Sequence, residues 1–258
     1  MSITRATEPP ASDAIVTLDW DTFLEYMRDC WEPGQHIAMI GPTGEGKTTV
    51  AVGLLGIRKY VFSLDPKGED TTLSKSGYQR IRHVPQSGWR HGWCPACRQI
   101  FSDVAEGRDV RLIVGGAART DAQDVKLHNL MREGITYARR AGGWTLYVDE
   151  FELLSSQRMF RLGSNIERML ITARKDGTSV LTSFQAAAWV SKHATRQARY
   201  AIMYATGDRD MIKSVAQAMG RNWRDLAEAV DELPRFFVLV IPRGKNGGPM
   251  ILTTAPKV

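Results

Sequence analysis

Apolar runs of strand length alternate along this chain with stretches of helical period. His36-Ile37-Ala38-Met39-Ile40 reads as a buried strand, followed by runs at Tyr60–Leu64, Val110–Val114, Trp144–Val148, Ser179–Phe184 and Arg199–Tyr204. Between them lie helical patterns. Asp19 to Trp31 carries Phe23, Leu24, Met27 and Trp31 on one side, and a second helix begins over Thr49–Leu55. Asp121 to Arg140 repeats Val125, Leu127, Leu130, Met131, Ile135 and Ala138 before Gly142-Gly143 stops it. Further helices are predicted over Asn165–Arg174, Ala186–Arg199, 208–219 and 222–231. The chain closes with runs at Arg235–Ile241 and Met250–Thr254; Gly244, Gly247 and Gly248 between them predict a C-terminal β-hairpin. Strands alternating with helices in this way predict an α/β fold, a mainly parallel central sheet with helices on both faces.

The 258 residues are 43% hydrophobic and 24% charged, enough for a sizeable core. Residues 1–14, with Pro9, Pro10 and Ser12, read as a flexible tail, and 15–258 as one domain. No apolar run reaches the length of a membrane span, and no signal core follows Met1. Only three cysteines occur, which speaks against a disulfide framework and suits a reducing compartment. A net charge of +6 and a pI near 9.3 are compatible with a polyanionic partner without requiring one.

One motif gives the strand–helix pattern its chemistry. Gly41-Pro42-Thr43-Gly44-Glu45-Gly46-Lys47-Thr48 is G-x-x-x-x-G-K-T, set between the first strand and the helix that takes in Thr49. Its glycines let backbone N–H groups curl around phosphates, and the helix N-terminus adds positive potential there. Lys47 is expected to reach the β- and γ-phosphates of ATP, and the Thr48 hydroxyl to ligate Mg²⁺. Downstream, the strand Trp144–Val148 ends in Asp149-Glu150. Asp149 is expected to hold the Mg²⁺ shell, and Glu150 to act as general base toward the attacking water. The strand Ser179–Phe184 ends in Gln185, whose amide could contact the γ-phosphate or position that water; a helix cap or a surface amide is the other reading. Asp65-Pro66-Lys67-Gly68-Glu69 turns the chain at the carboxyl edge of the sheet, where open α/β sheets bind ligands.

Residues 83–99 break the pattern. His91, Cys94 and Cys97 have metal-like spacing, but a closed zinc site needs a fourth ligand, and only His83 or distant Cys30 is available. The segment is therefore read as an insertion loop with reduced thiols.

Taken together, GPTGEGKTT (41–49), LDPKGE (64–69), LYVDEFELL (146–154) and ARKDGTSVLTSFQ (173–185) resemble the FtsK–HerA superfamily of P-loop ATPases over roughly residues 36–241. The resemblance implies a RecA-like fold, ATP as substrate with Mg²⁺, double-stranded DNA as partner, and a homo-oligomeric ring of about five or six subunits. It implies the role of Gln185, and an arginine before the glutamine strand that reaches the neighbouring subunit's nucleotide. Arg174 matches that place, with Arg168 as the alternative. Without membrane segments, winged domain or N-terminal barrel, the chain resembles a minimal motor core of the viral genome-packaging type, or a plasmid or mobile-element relative. That type works in the (host) cytoplasm or at a virion and docks on a portal or vertex protein. Candidate DNA-contacting residues are Arg243, Lys245, Arg119 and Lys126. Two other readings stay open: a P-loop kinase or non-motor NTPase, and a nucleotide-dependent switch or assembly NTPase that pumps no DNA. The first lacks an acceptor site and a lid-like arginine cluster, and Glu150 argues against the second.

Overall fold

The computed structural model of the chain describes residues 14–68, 71–81, 95–115, 120–156, 160–185, 192–244 and 248–256. Among these, ten strands form one sheet. In chain order they are β1 (Ile15–Thr17), β2 (His36–Ile40), β3 (Tyr60–Asp65), β4 (Gln79–Arg80), β5 (Val110–Gly115), β6 (Thr145–Val148), β7 (Ser179–Phe184), β8 (Ala198–Met203), β9 (Phe237–Pro242) and β10 (Met250–Thr254). The helices are α1 (Trp20–Cys30), α2 (Lys47–Gly56), α3 (Thr71–Lys75), α4 (Pro95–Ala105), α5 (Asp121–Ala141), α6 (Phe151–Ser155), α7 (Gly163–Thr172), α8 (Lys192–Gln197), α9 (Arg209–Met219) and α10 (Trp223–Asp231). A 3₁₀ turn, Ala173–Asp176, extends α7.

The strand order is β1-β10-β9-β8-β2-β7-β6-β3-β5-β4. From β8 to β4 every pairing is parallel. The expected C-terminal hairpin closes the other side: β9 is antiparallel to both β8 and β10, with Ile251 opposite Val240. The central strands β2, β6 and β7 are buried along their whole length, which is why they lack an alternating polar face; their polar members, His36, Thr145, Ser179, Thr182 and Ser183, are buried too. α1, α2 and α3 cover one face, over Ile37, Met39, Leu181 and Ile202. Helices from α5 to α10 cover the other, over Ala38, Ile40, Leu146 and Val180.

Local chemistry sets the helix ends. Asp19 caps α1, its carboxylate accepting from the Thr22 N–H at 3.0 Å. α5 begins after Thr120, carries Asp121 and Asp124 in its first turn and Arg139 and Arg140 in its last, and so complements its dipole at both ends. A buried histidine ties β2 to its neighbours. His36 is 3% exposed; its Nδ1 accepts from the Val180 N–H and its Nε2–H donates to the Leu170 carbonyl, both at 3.0 Å.

Some expectations need correction. The stretch read as an insertion loop at 83–99 is helical from Pro95 onward, because Pro95 opens α4 and Ile100 is buried in the core. Ala14, counted in the expected tail, is tied to the sheet: its carbonyl accepts from the Met250 N–H at 2.9 Å, just before β1 pairs with β10. The helix expected over Ala186–Arg199 stops at Gln197, since Ala198 already pairs with His36. Residues 1–13, His83, His91, Cys94, Arg119, Lys245 and residues 186–191 lie outside the described residues.

Candidate active site

The P-loop turns directly off β2. The Gly41 N–H donates to the Phe184 carbonyl at 3.2 Å, so the loop starts hydrogen-bonded to the end of β7. Gly44 and Gly46 stand at φ +84° and +86°, a region L side chains rarely enter. A Cβ on Gly44 would meet nothing within 4 Å, so the curled backbone faces open space. Lys47, 8% exposed, opens α2 and folds back, its Nζ donating to the Gly41 carbonyl at 2.7 Å and the Pro42 carbonyl at 2.6 Å. Burial pulls this ammonium below the ordinary lysine range; Asp149, Glu152, Glu150 and Glu45 pull the other way. Among the described residues its hydrogen-bond partners are carbonyls, and a desolvated ammonium so held is a strong attractor for an incoming phosphate. Glu45, Thr48 and Thr49 are half-buried around it; Pro42 and Thr43 are exposed.

The strand order decides the rest. β7 lies between β2 and β6, so Gln185 emerges between the P-loop and the Asp149-Glu150 pair. Its Oε1 accepts from the Thr43 hydroxyl at 2.9 Å, and its Nε2 donates to Glu150 Oε1 at 2.8 Å. The side chain thus bridges the phosphate loop to the expected base. Glu150 itself stands at φ +50°, a strained conformation for a residue with a Cβ, as the N-cap of α6. Asp149 accepts from the Tyr147 hydroxyl at 3.0 Å.

Asp149, Thr48 and Ser183 offer hard oxygen donors of the type Mg²⁺ takes. Ser183 lies on the α2 face of β7 by register with Met39, and its hydroxyl is buried with no hydrogen-bond partner among the described residues. An orphaned buried hydroxyl facing α2 fits a site built for an ion or its water.

Two partners escaped the sequence. Lys67, in the turn after β3, donates to Glu150 Oε1 at 2.5 Å. Glu152 Oε1 accepts from the Gln185 backbone N–H at 2.6 Å. An Asp-Pro-Lys turn and a second glutamate two places on were visible; what they touch depends on strand order.

Arg174 does not join this site. It is exposed in the 3₁₀ turn, where its carbonyl packs against Gly34 just before β2 begins. β2 separates it from the P-loop of its own chain by roughly 15 Å at about 3.3 Å per residue. Arg168, also exposed, sits on α7. Of the basic candidates for DNA contact, Lys126 is exposed on α5, whereas Arg243 is spent internally. Its guanidinium donates to the carbonyls of Ala198 (2.7 Å), Ala218 (2.7 Å) and Thr195 (2.6 Å), where β8, α8 and α9 meet.

No family model matches the chain, and no curated protein matches it by sequence. Solved structures match it in fold. The DNA-packaging ATPase B204 of Sulfolobus turreted icosahedral virus aligns with a TM-score of 0.56 and 17% identity, over 88% of this chain and 100% of its own. The bacterial conjugative coupling protein TrwB aligns at 0.56 and 10% identity, over 88% and 86%. VirB4 of Thermoanaerobacter pseudethanolicus aligns at 0.56 and 13% identity, over 86% and 89%. B204 of the related virus 2 has been solved with AMPPCP and with ATP-γ-S. At 10–17% identity these likenesses show a shared fold, so the resemblance seen in the motifs extends to a RecA-like architecture.

Proposed function

We propose that this chain is an ATPase that moves double-stranded DNA, of the kind that packages a viral genome, acting as a ring of identical subunits. The carrying observation is the bridge Thr43–Gln185–Glu150, which joins a phosphate loop to a carboxylate at the end of a separate strand. A protein that only held nucleotide would have no use for a carboxylate oriented in this way. The fold shared with a DNA-packaging ATPase and a conjugative coupling protein supports DNA as the partner. So does the net charge of +6.

In this reading the N–H groups of Gly41 to Thr49 and the Lys47 ammonium bind the phosphates of ATP. Thr48 and Asp149 would hold Mg²⁺, which would supply neutralising positive charge to the phosphates. Glu150 takes the proton of the attacking water, and Gln185 sets its place. Arg174, or Arg168 in its stead, serves the site of the next subunit in the ring. Residues 15–258 act as one ATPase domain. No helix among the described residues is long and apolar enough to cross a membrane, in keeping with a motor working in the cytoplasm or at a virion.

The test is ATP hydrolysis with and without duplex DNA, paired with particle imaging. Stimulation by DNA and ring-shaped particles are expected. Assembled protein that hydrolyses ATP but ignores DNA would favour the switch reading. Protein that does not hydrolyse ATP would end the enzyme reading.

A further inference from the structure

Lys67 lies outside the P-loop and the Asp149-Glu150 pair, and the function proposed above gives it no task. Its Nζ donates to Glu150 Oε1 at 2.5 Å, the same atom that accepts from Gln185 Nε2 at 2.8 Å. A carboxylate oxygen has two lone pairs, so two donors fill it. Among the described residues no donor reaches Oε2.

Resting on the ATPase reading, we propose that Lys67 is a positioning residue for hydrolysis. With Gln185 it fixes Glu150 so that Oε2 is the oxygen turned toward the attacking water. Water then gives its proton to Oε2 as its oxygen bonds to the γ-phosphorus, and the bond from that phosphorus to the β–γ bridging oxygen breaks. Lys67 forms and breaks no covalent bond; it limits where the base can point.

The turn that presents Lys67 is itself held. Asp65, 3% exposed, accepts from the Gly68 N–H at 2.8 Å and from the Arg80 guanidinium at 3.1 Å. β3 is hydrogen-bonded to β6, with Leu64 opposite Val148, so the turn and the Asp149-Glu150 pair leave adjacent strands at one edge. On the far side of β3, Gly115 closes β5 where a Cβ would stand 2.0 Å from the Asp65 carbonyl oxygen. The arrangement is not a stability device. The Lys67 side chain is 59% exposed, and ion pairs that open to water contribute little to folding. Orientation is a different matter: a misplacement near 1 Å costs roughly a hundredfold in rate.

The experiment compares steady-state hydrolysis by the full chain with its Lys67→Ala and Lys67→Arg variants, with thermal melts as a check on folding. Lys67→Ala is expected to lower kcat roughly tenfold to a hundredfold. KM for ATP should stay within about twofold, since no ground-state contact to the nucleotide is lost. Lys67→Arg should recover much of the rate. In a Glu150→Gln background, Lys67→Ala should cost nothing further. An unchanged kcat in a folded Lys67→Ala protein overturns the proposal. A raised KM at constant kcat also overturns it, in favour of a direct phosphate contact. A parent protein with no hydrolysis at all removes the proposed function and this inference with it.

Discussion

Gln185 and Glu150 meet side chain to side chain, Nε2 to Oε1 at 2.8 Å, across 35 residues of sequence and between adjacent parallel strands. The same amide accepts from Thr43, so one side chain touches both the phosphate loop and the expected base.

Glu150→Gln should bind ATP as the parent does and lose turnover by roughly a hundredfold or more, because the base is lost while Asp149 and Thr48 remain. Lys47→Ala should instead fail at binding. Equilibrium binding of a fluorescent ATP analogue and a phosphate-release assay separate the two. Parent-like turnover in Glu150→Gln would remove the assigned base.

Gln185→Leu breaks both side-chain bonds, whereas Thr43→Val breaks only the one to the P-loop. The first should lower kcat roughly tenfold to a hundredfold with little change in nucleotide binding. The second should cost no more than a few-fold. Equal losses would mean that the bond to the P-loop, not the hold on Glu150, is what matters.

His36 should make stability pH-dependent. Burial lowers its pKa to about 4, with Arg174 adding to the shift and the Leu170 hydrogen bond opposing it. The unfolded chain takes up the proton near pH 6.5, whereas the folded protein resists until about 4. Its contribution is therefore fully present above pH 6.5 and is lost as pH falls from there through 4, worth about 3 kcal/mol. Denaturant unfolding between pH 7 and pH 4 should show a smaller loss in His36→Gln than in the parent. Parallel curves would mean that the imidazole is not kept neutral in the native state.

Arg174 stands at the opposite edge of the sheet from its own P-loop, so any role in hydrolysis must be played on a neighbour. Arg174→Ala and Glu150→Gln should each be nearly inactive. Mixed together they should regain part of the activity, because some interfaces then pair an intact Glu150 with an intact Arg174; such fingers are worth roughly three to five orders of magnitude in rate. Full activity of Arg174→Ala alone in assembled rings would turn attention to Arg168.

Duplex DNA should bind without sequence preference, and its affinity should fall steeply as salt rises, since contacts to phosphate release counterions. Arg243→Ala should leave that salt dependence unchanged and lower stability by about 1–3 kcal/mol, because three backbone carbonyls lose their donor. A loss of DNA affinity without a loss of stability would return Arg243 to the DNA-contacting set.

The sequence by itself determined the elements that carry a strong local pattern; α3, α4 and α6 were not among them. Strand-length runs gave β2, β3, β5, β6 and β7 within a residue or two of their observed ends, since a strand buried on both faces is mostly apolar, with only small or hydrogen-bonded polar residues such as Thr182 and His36 among them. The P-loop was legible because its glycines, lysine and threonine act within one turn. Asp149, Glu150 and Gln185 could be named because each ends a recognisable strand. Which strands lie side by side was not legible, because pairing joins segments with no local signature of their partner. Only the tertiary structure placed β7 between β2 and β6, and with it Gln185 between Thr43 and Glu150. The same order brought Lys67 to Glu150 across 83 residues, and folding of α8 and α9 against β8 turned Arg243 from a surface charge into an internal tie. β1 and β4, with three and two residues, are too short to carry a period and exist only because a neighbouring strand offers them hydrogen bonds.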